Sequence, residues 1–166
     1  MMPDAYLPSP WAPLGALAAL TKRVDIGTTV HLLPFEHPVH VAEHSAMVDV
    51  LSGGRLKLGV GLGNFPSEFE FFGLNPKTQV SRFEEAIEIL QRLWAGEALD
   101  HAGKHFNVKG ALTPLPQGAE LWMGAMSEPG IRRAARFGAP WPTDPLHNIE
   151  VMKEWKGIYD AAGEEY

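Results

Sequence analysis

An α/β fold built on parallel strands is the class this sequence predicts, and three observations carry it. Segments rich in β-branched or alternating residues take turns with segments of helical spacing, in the order helix, strand, helix, strand, helix, hairpin, strand, helix, helix. The first helical segment is small and apolar almost all round, so it needs cover on both sides, as a helix between a sheet and a partner has. The 166 residues are 45% hydrophobic and 20% charged, a globular composition with enough chain for one real core. On pattern alone an open sheet and a barrel fit equally well, and residues 1–166 read as a single domain.

The first helix is expected over Leu14–Lys22, just after Pro13. Val24–Leu33 reads as a β-branched strand ended by Pro34. Val39–Leu51 returns to helical spacing, with Val39, Ala42, Ala46 and Val50 on one stripe, and Ser52-Gly53-Gly54 stops it. Leu56–Leu62 is a second strand. A long loop is expected from Gly63 to Val80, and loops of that length are often functional. The strongest helix is Ser81–Ala95, with Ser81 and Glu84 as a capping box and Phe83, Ala86, Ile87, Leu90, Leu93 and Trp94 as its buried stripe. Leu99–Val108 reads as a hairpin turning at Ala102-Gly103, and Leu121–Met126 as a third strand. A helix capped by Ser127 runs to Phe137 with Gly138 at its end, and the last helix is Asn148–Ala162.

Composition removes several function classes. The net charge of −6 and the scattered basic residues disfavour nucleic acid and anionic membranes as partners. The absence of cysteine excludes disulfides, thiolate–zinc sites and thiol nucleophiles. No apolar run spans a bilayer, and Met1-Met2-Pro3-Asp4 does not begin a signal peptide, so a cytoplasmic location is the expectation.

Three places can hold chemistry. On Leu56–Gly63 the leucines and Val60 take one face and Gly59, Gly61 and Gly63 the other. A face stripped of side chains admits either a flat ligand or a close neighbour. The glycines are spaced G-x-G-x-G and Asn64-Phe65-Pro66 follows, which is not a dinucleotide fingerprint. At Met126-Ser127-Glu128-Pro129-Gly130 a strand end leads into a helix. There a hydroxyl, backbone N–H groups and the positive end of the helix dipole would suit a phosphate, or the serine is a plain N-cap. His40-Val41-Ala42-Glu43-His44 matches the inverted zinc-protease pattern H-x-x-E-H, amid His31 and His37, but no third ligand follows.

An ordered set of segments resembles one family. These are Val24-Asp25-Ile26-Gly27-Thr28-Thr29-Val30, Leu33-Pro34, His37-Pro38-Val39, Ala42-Glu43, Leu51-Ser52-Gly53-Gly54-Arg55-Leu56 and Leu58-Gly59-Val60-Gly61. The series goes on through Glu68-Phe69, Phe72-Gly73, Arg82-Phe83-Glu84-Glu85-Ala86, Leu93-Trp94-Ala95-Gly96 and Ala134-Ala135-Arg136-Phe137-Gly138. From Trp11 to Trp141 the chain resembles the bacterial-luciferase-like monooxygenases, which use reduced FMN or the deazaflavin F420.

The resemblance implies a (β/α)8 TIM-barrel-like fold that is incomplete here, about strands 3 to 6 with their helices. Val24–Leu33 would be the third strand, Leu56–Leu62 the fourth and Leu121–Met126 the fifth. It implies a flavin-dependent monooxygenase or oxidoreductase acting with O2 on a small organic substrate, with reduced FMN favoured over F420 and a flavin reductase as supplier. The cofactor positions it implies are Thr28, Thr29 and Val30, around a non-proline cis peptide expected between Thr29 and Val30. With them come Gly61 and Leu62 beside the ring, and Met126, Ser127 and Gly130 at the phosphate. Phe65 and Glu68 fall on the substrate side. Luciferases proper carry a cysteine and an arginine where this chain has Gly61 and Leu62, which argues against a true luciferase. No residue is singled out as general acid or base, and no metal is expected. A homodimer through Leu14–Lys22 and Val39–Leu51 is implied, with Ala18 on its contact face, unless the last helix covers that surface. The rival functions are a non-catalytic flavin-binding or degenerate relative and a zinc hydrolase using His40, Glu43 and His44.

Overall fold

The computed structural model describes residues 9–143 and 147–165. The N-terminal Met1-Met2-Pro3-Asp4 stretch lies outside them. Three strands form one parallel sheet: β1 (Ile26–Leu32), β2 (Leu56–Gly61) and β5 (Glu120–Met123), in the order β1-β2-β5. Helix α1 (Trp11–Leu20) precedes β1. Helix α2 (Pro38–Ser52) connects β1 to β2. The link from β2 to β5 carries α3 (Pro66–Phe71), α4 (Gln79–Trp94) and an antiparallel hairpin, β3 (Leu99–Ala102) with β4 (Asn107–Gly110). Helices α5 (Glu128–Arg136) and α6 (Ile149–Gly163) follow. Parallel strands joined by helical crossovers are the βαβ architecture expected. Among the described residues no helix is long and apolar enough to cross a membrane.

The core lies between the sheet and the helices. Leu56, Leu58 and Val60 of β2 are fully buried, as are Val41, Ala42 and Ala46 of α2 and Ala86, Ile87 and Leu90 of α4. The α4 stripe is the one its spacing predicts, except that Trp94 is half-buried and Ile89, outside that stripe, is fully buried. Gly53, at φ 72°, closes α2 in the left-handed conformation, with its N–H on the carbonyls of Asp49 and Val50.

Several boundaries move for physical reasons. Helix α1 begins at Trp11 rather than Leu14, because Pro13 falls in the first turn, where its missing N–H loses no bond. The 63–80 stretch is not a bare loop: it holds α3, a 3-10 turn over Pro76–Thr78 and the start of α4. That turn runs straight into α4, so Ser81 lies inside the helix and the capping box does not form. Ser81 Oγ donates instead to the carbonyl of Thr78 (3.2 Å) and lies 2.8 Å from His105 Nε2. Glu84 pairs with Arg133 at 2.7 Å and Arg136 at 2.8 Å, locking α4 to α5. The hairpin turn spans 103–106, longer than predicted, because Glu85 accepts the N–H groups of His105 and Phe106 and holds the turn on α4.

Strand β5 ends at Met123, short of Met126. Its outer edge is not bare, since the Met123 N–H donates to Pro140 O (2.9 Å). Trp141 adds a bond from Nε1 to Ala125 O at 3.1 Å. The segment after α5 thus lies where the next barrel strand would begin. On the far side of β1, among the described residues, no strand pairs. Helix α6 packs on α5 rather than across α1, so the surface of α1 is not covered by the end of the chain as the alternative to a dimer required.

Three glutamates tie elements together and make the fold acid-sensitive. Burial alone would raise the Glu36 carboxyl, but contacts from His31, Trp11 and His44 outweigh it and hold it below its ordinary 4.5. Burial likewise opposes the lowering at Glu84 by Arg133 and Arg136, and at Glu85 by His101 and the Phe106 and His105 N–H groups. A depressed folded-state value contributes stability above the unfolded value, and that contribution is lost as pH falls through the folded one. The urea midpoint is expected to hold from pH 7 to 5.5 and to drop below about 4.5. A drop complete by pH 5.5 would refute the carboxylate origin.

Candidate ring and anion site at the strand ends

The C-terminal ends of β1, β2 and β5 meet on one side of the sheet, where ligands of parallel α/β proteins bind. The peptide between Thr29 and Val30 is cis, where the resemblance placed it, and the β1–β2 register shifts between Thr28 and His31. Thr28 is not free to reach a ligand with its hydroxyl, which donates to Gly59 O at 2.7 Å. Thr29 and Val30 are exposed, with Val30 at 37%.

The glycine face of β2 admits neighbours rather than lying open. A Cβ on Gly59 would sit 2.1 Å from Thr28 O, so the backbone of β1 occupies that place. A Cβ on Gly61 would sit 2.5 Å from Val30 Cγ2, and one on Gly63 would sit 3.1 Å from the Phe35 ring. The apolar side chains at this end of the sheet are Val30, seated on glycine, Leu62 directly after β2 and Met126 three residues past β5. Leu62 is half-buried and Met126 exposed.

Ser127 is the N-cap residue of α5, yet its side chain makes no capping bond. Its hydroxyl is thus available at the positive end of the helix dipole, together with the N–H groups of the first turn. Pro129 contributes none, and Ile131 N–H is taken by Ser127 O at 3.0 Å, which leaves those of Glu128 and Gly130. Gly130 is small because Ala125 is close: a Cβ there would lie 2.9 Å from Ala125 Cβ and 3.5 Å from Ser127 Oγ.

On the other side of the site, Phe65 is exposed just before α3 and Glu68 lies in its first turn. Glu68 Oε2 is buried without a hydrogen-bond partner, beside Gly63. Gln79 Nε2 donates to the Gly63 carbonyl and holds the end of β2, a contact that sequence reasoning missed. It also missed Gly124, although Gly124-Ala125 directly before Met126-Ser127 was a visible signal. Glu36, which gathers Trp11, His31 and His44, was missed too.

The zinc arrangement does not form. His40 Nδ1 lies 3.3 Å from Glu43 Oε2, while His44 Nδ1 lies 3.3 Å from Glu36 Oε1, so the two rings serve different carboxylates. Among the described residues, no group of three or more such side chains is arranged to hold a metal ion.

The strand ends of the parallel sheet thus bring together the apolar side chains of Val30, Leu62 and Met126 and the uncapped Ser127 at the start of α5. The chain belongs to the luciferase-like monooxygenases, whose family model matches residues 1–166. It is 38% identical over 151 residues to an F420-dependent glucose-6-phosphate dehydrogenase of Microbacterium testaceum, covering 87% of this chain and 44% of that protein. It is 30% identical over 166 residues to the oxygenase component of the flavin-dependent trigonelline monooxygenase of Acinetobacter baylyi, covering 96% of this chain and 46% of that protein. The monooxygenase RslO1 from Streptomyces bottropensis superimposes with a TM-score of 0.87 at 30% identity, covering 96% of this chain and 50% of that one. The chain thus spans about half the length of the relatives it matches, and its fold is the corresponding part of a (β/α)8 barrel.

Proposed function

We propose that this chain contributes the strand-end half of a flavin-dependent monooxygenase site, with reduced FMN as cofactor and F420 as the alternative. The observation that carries this is the uncapped Ser127 hydroxyl at the start of α5, on the same side of the sheet as the apolar floor of Val30, Leu62 and Met126. Ser127 and the Gly130 N–H would hold the cofactor phosphate, Thr29 and Val30 would lie against the ring, and Gly61 would leave room for Val30. The bound cofactor supplies the electrons, for O2 or for hydride transfer, while the protein orients it and keeps water away. Phe65 would flank a small organic substrate and Glu68 would accept a hydrogen bond from it. The name of the Acinetobacter relative, an oxygenase component, supports a separate flavin reductase as supplier of the reduced cofactor.

Titration with FMN, FMNH2, F420 and riboflavin tests the cofactor. Ser127→Ala is expected to weaken FMN by about 1 kcal/mol, or somewhat more where the bond is charge-assisted, and to leave riboflavin unchanged. Equal losses for both ligands would place the phosphate elsewhere. Cofactor binding with neither substrate oxygenation in air, when a flavin reductase is added, nor hydride transfer to or from a substrate would identify a non-catalytic flavin-binding protein.

The same proposal includes a homodimer across α1 and α2. Helix α1 has no charged residue, and Leu17 (46%), Leu20 (82%), Met47 (45%) and Leu51 (54%) are exposed. Ala18, expected on the contact face, is instead fully buried in the chain's own core, because it lies on the side of α1 turned to α2. The paired variant Leu17→Glu/Leu20→Glu is expected to sediment as a folded monomer where the wild type sediments as a dimer. A wild type that is monomeric at micromolar concentration would overturn the assembly.

A further inference from the structure

The side chain of Val30 is held by two glycines, one at the end of β2 and one just beyond β5. A Cβ built on Gly61 meets Val30 Cγ2 at 2.5 Å, and one built on Gly124 meets Val30 Cγ1 at 2.6 Å. Neither glycine has a positive φ, so neither is there for backbone freedom; each is there for space. The register explains the convergence. Val60 pairs with His31 on one side and Met123 on the other, and the Gly124 N–H donates to Val60 O at 2.9 Å. Gly61 and Gly124 therefore lie level with each other, one step past Val60, and the side chain of Val30 reaches both.

A valine has one stiff χ1, and here both of its methyls occupy notches. It cannot rotate without moving a methyl out of one of them. Its remaining surface, 37% exposed, is fixed in height and tilt by β2 and β5 together. We infer that Gly61 and Gly124 are positioning residues that seat Val30 as the floor for a planar ring. The inference rests on the flavin reading and deepens it. It adds that the apolar bed under the ring is set by three strands, and that the nearest tolerated change is a loss of volume, not a gain.

A cycle of variants tests it, with urea unfolding and lumiflavin binding as readouts. Lumiflavin carries the ring without phosphate, so the α5 seat does not enter. Gly124→Ala is expected to overpack the floor, lowering the urea midpoint and lumiflavin affinity, the latter about tenfold, and to change the visible band of the bound ring. Val30→Ala/Gly124→Ala removes the clashing methyl and leaves Val30 Cβ 3.8 Å from the new carbon, an ordinary contact. The double variant is expected to return both readouts to within about threefold of wild type. Val30→Ala/Gly61→Ala should recover less, since the remaining distance there is 3.3 Å. Additive effects, with no rescue, would overturn the cradle. Lumiflavin binding to Gly124→Ala equal to wild type would overturn the positioning role alone. A wild type that binds neither lumiflavin nor FMN nor F420 would overturn the flavin reading, and the positioning role with it.

Discussion

Asp49→Ala is expected to leave little folded protein. Asp49 is fully buried at the end of α2, and its carboxylate accepts three backbone N–H groups. These come from Leu56 at 3.2 Å, Gln117 at 2.6 Å and Gly118 at 2.9 Å. Leu56 opens β2, and Gln117 and Gly118 lead into β5, so one side chain ties a helix end to the entries of two strands. Alanine leaves the Leu56 N–H buried without an acceptor and strips the N–H groups of Gln117 and Gly118, on exposed residues, of a charged one. At about 1–3 kcal/mol for the buried Leu56 donor and about 1–1.5 kcal/mol for each of the other two bonds, the loss is on the order of 3–6 kcal/mol, comparable to the whole stability of a marginal domain. Asp49→Asn keeps one acceptor oxygen but turns an NH2 against an N–H, so it should recover only part of the loss. Soluble yield and urea midpoint measure it. An Asp49→Ala protein within about 1 kcal/mol of wild type would show that water replaces the carboxylate.

Arg55→Ala is expected to release α1 from the sheet. The Arg55 guanidinium donates from Nε to Ser52 O (2.7 Å) and from Nη1 to Thr21 Oγ1 (3.0 Å) and Val24 O. Its Nη2 donates to Thr21 O (2.9 Å) and Ala18 O (3.3 Å). It therefore places a positive charge and a planar fork of donors at the C-terminal end of α1, where carbonyls lack partners. Removing it should cost about 3 kcal/mol. Arg55→Lys keeps the charge but not the fork, and should lie in between. Amide exchange separates this from global loss: Ala18, Ala19 and Leu20 should lose protection before β2 does. Equal loss across β2 would argue against a local tether. Because α1 is apolar all round, its release should also promote aggregation.

The elements were legible where one periodicity dominated. The α4 stripe of Phe83, Ala86, Ile87, Leu90 and Leu93 is buried as its spacing predicts. Beyond the elements, the cis peptide at Thr29–Val30 came from the ordered resemblance, not from propensity. Boundaries failed where side chains turned away from local roles. Ser81 and Glu84 have the spacing of a capping box, but His105 and the arginines of α5 claim them. His40 and His44 have the spacing of a ligand pair, but each faces a different carboxylate. Local spacing states what residues could do, and tertiary neighbours decide what they do.

Alternation of helical and strand spacing by itself determined that this chain forms parallel βαβ units, and the ordered segments from Trp11 to Trp141 determined its family. Those are properties of near neighbours and of order along the chain. Only the tertiary structure decided that Gly59 makes room for the Thr28 carbonyl, that Gly61 and Gly124 seat Val30, and that Asp49 and Arg55 join elements far apart in sequence. Each of those depends on a distance between residues 25 or more positions apart, set by strand register and helix packing. No periodicity within a segment encodes such a distance.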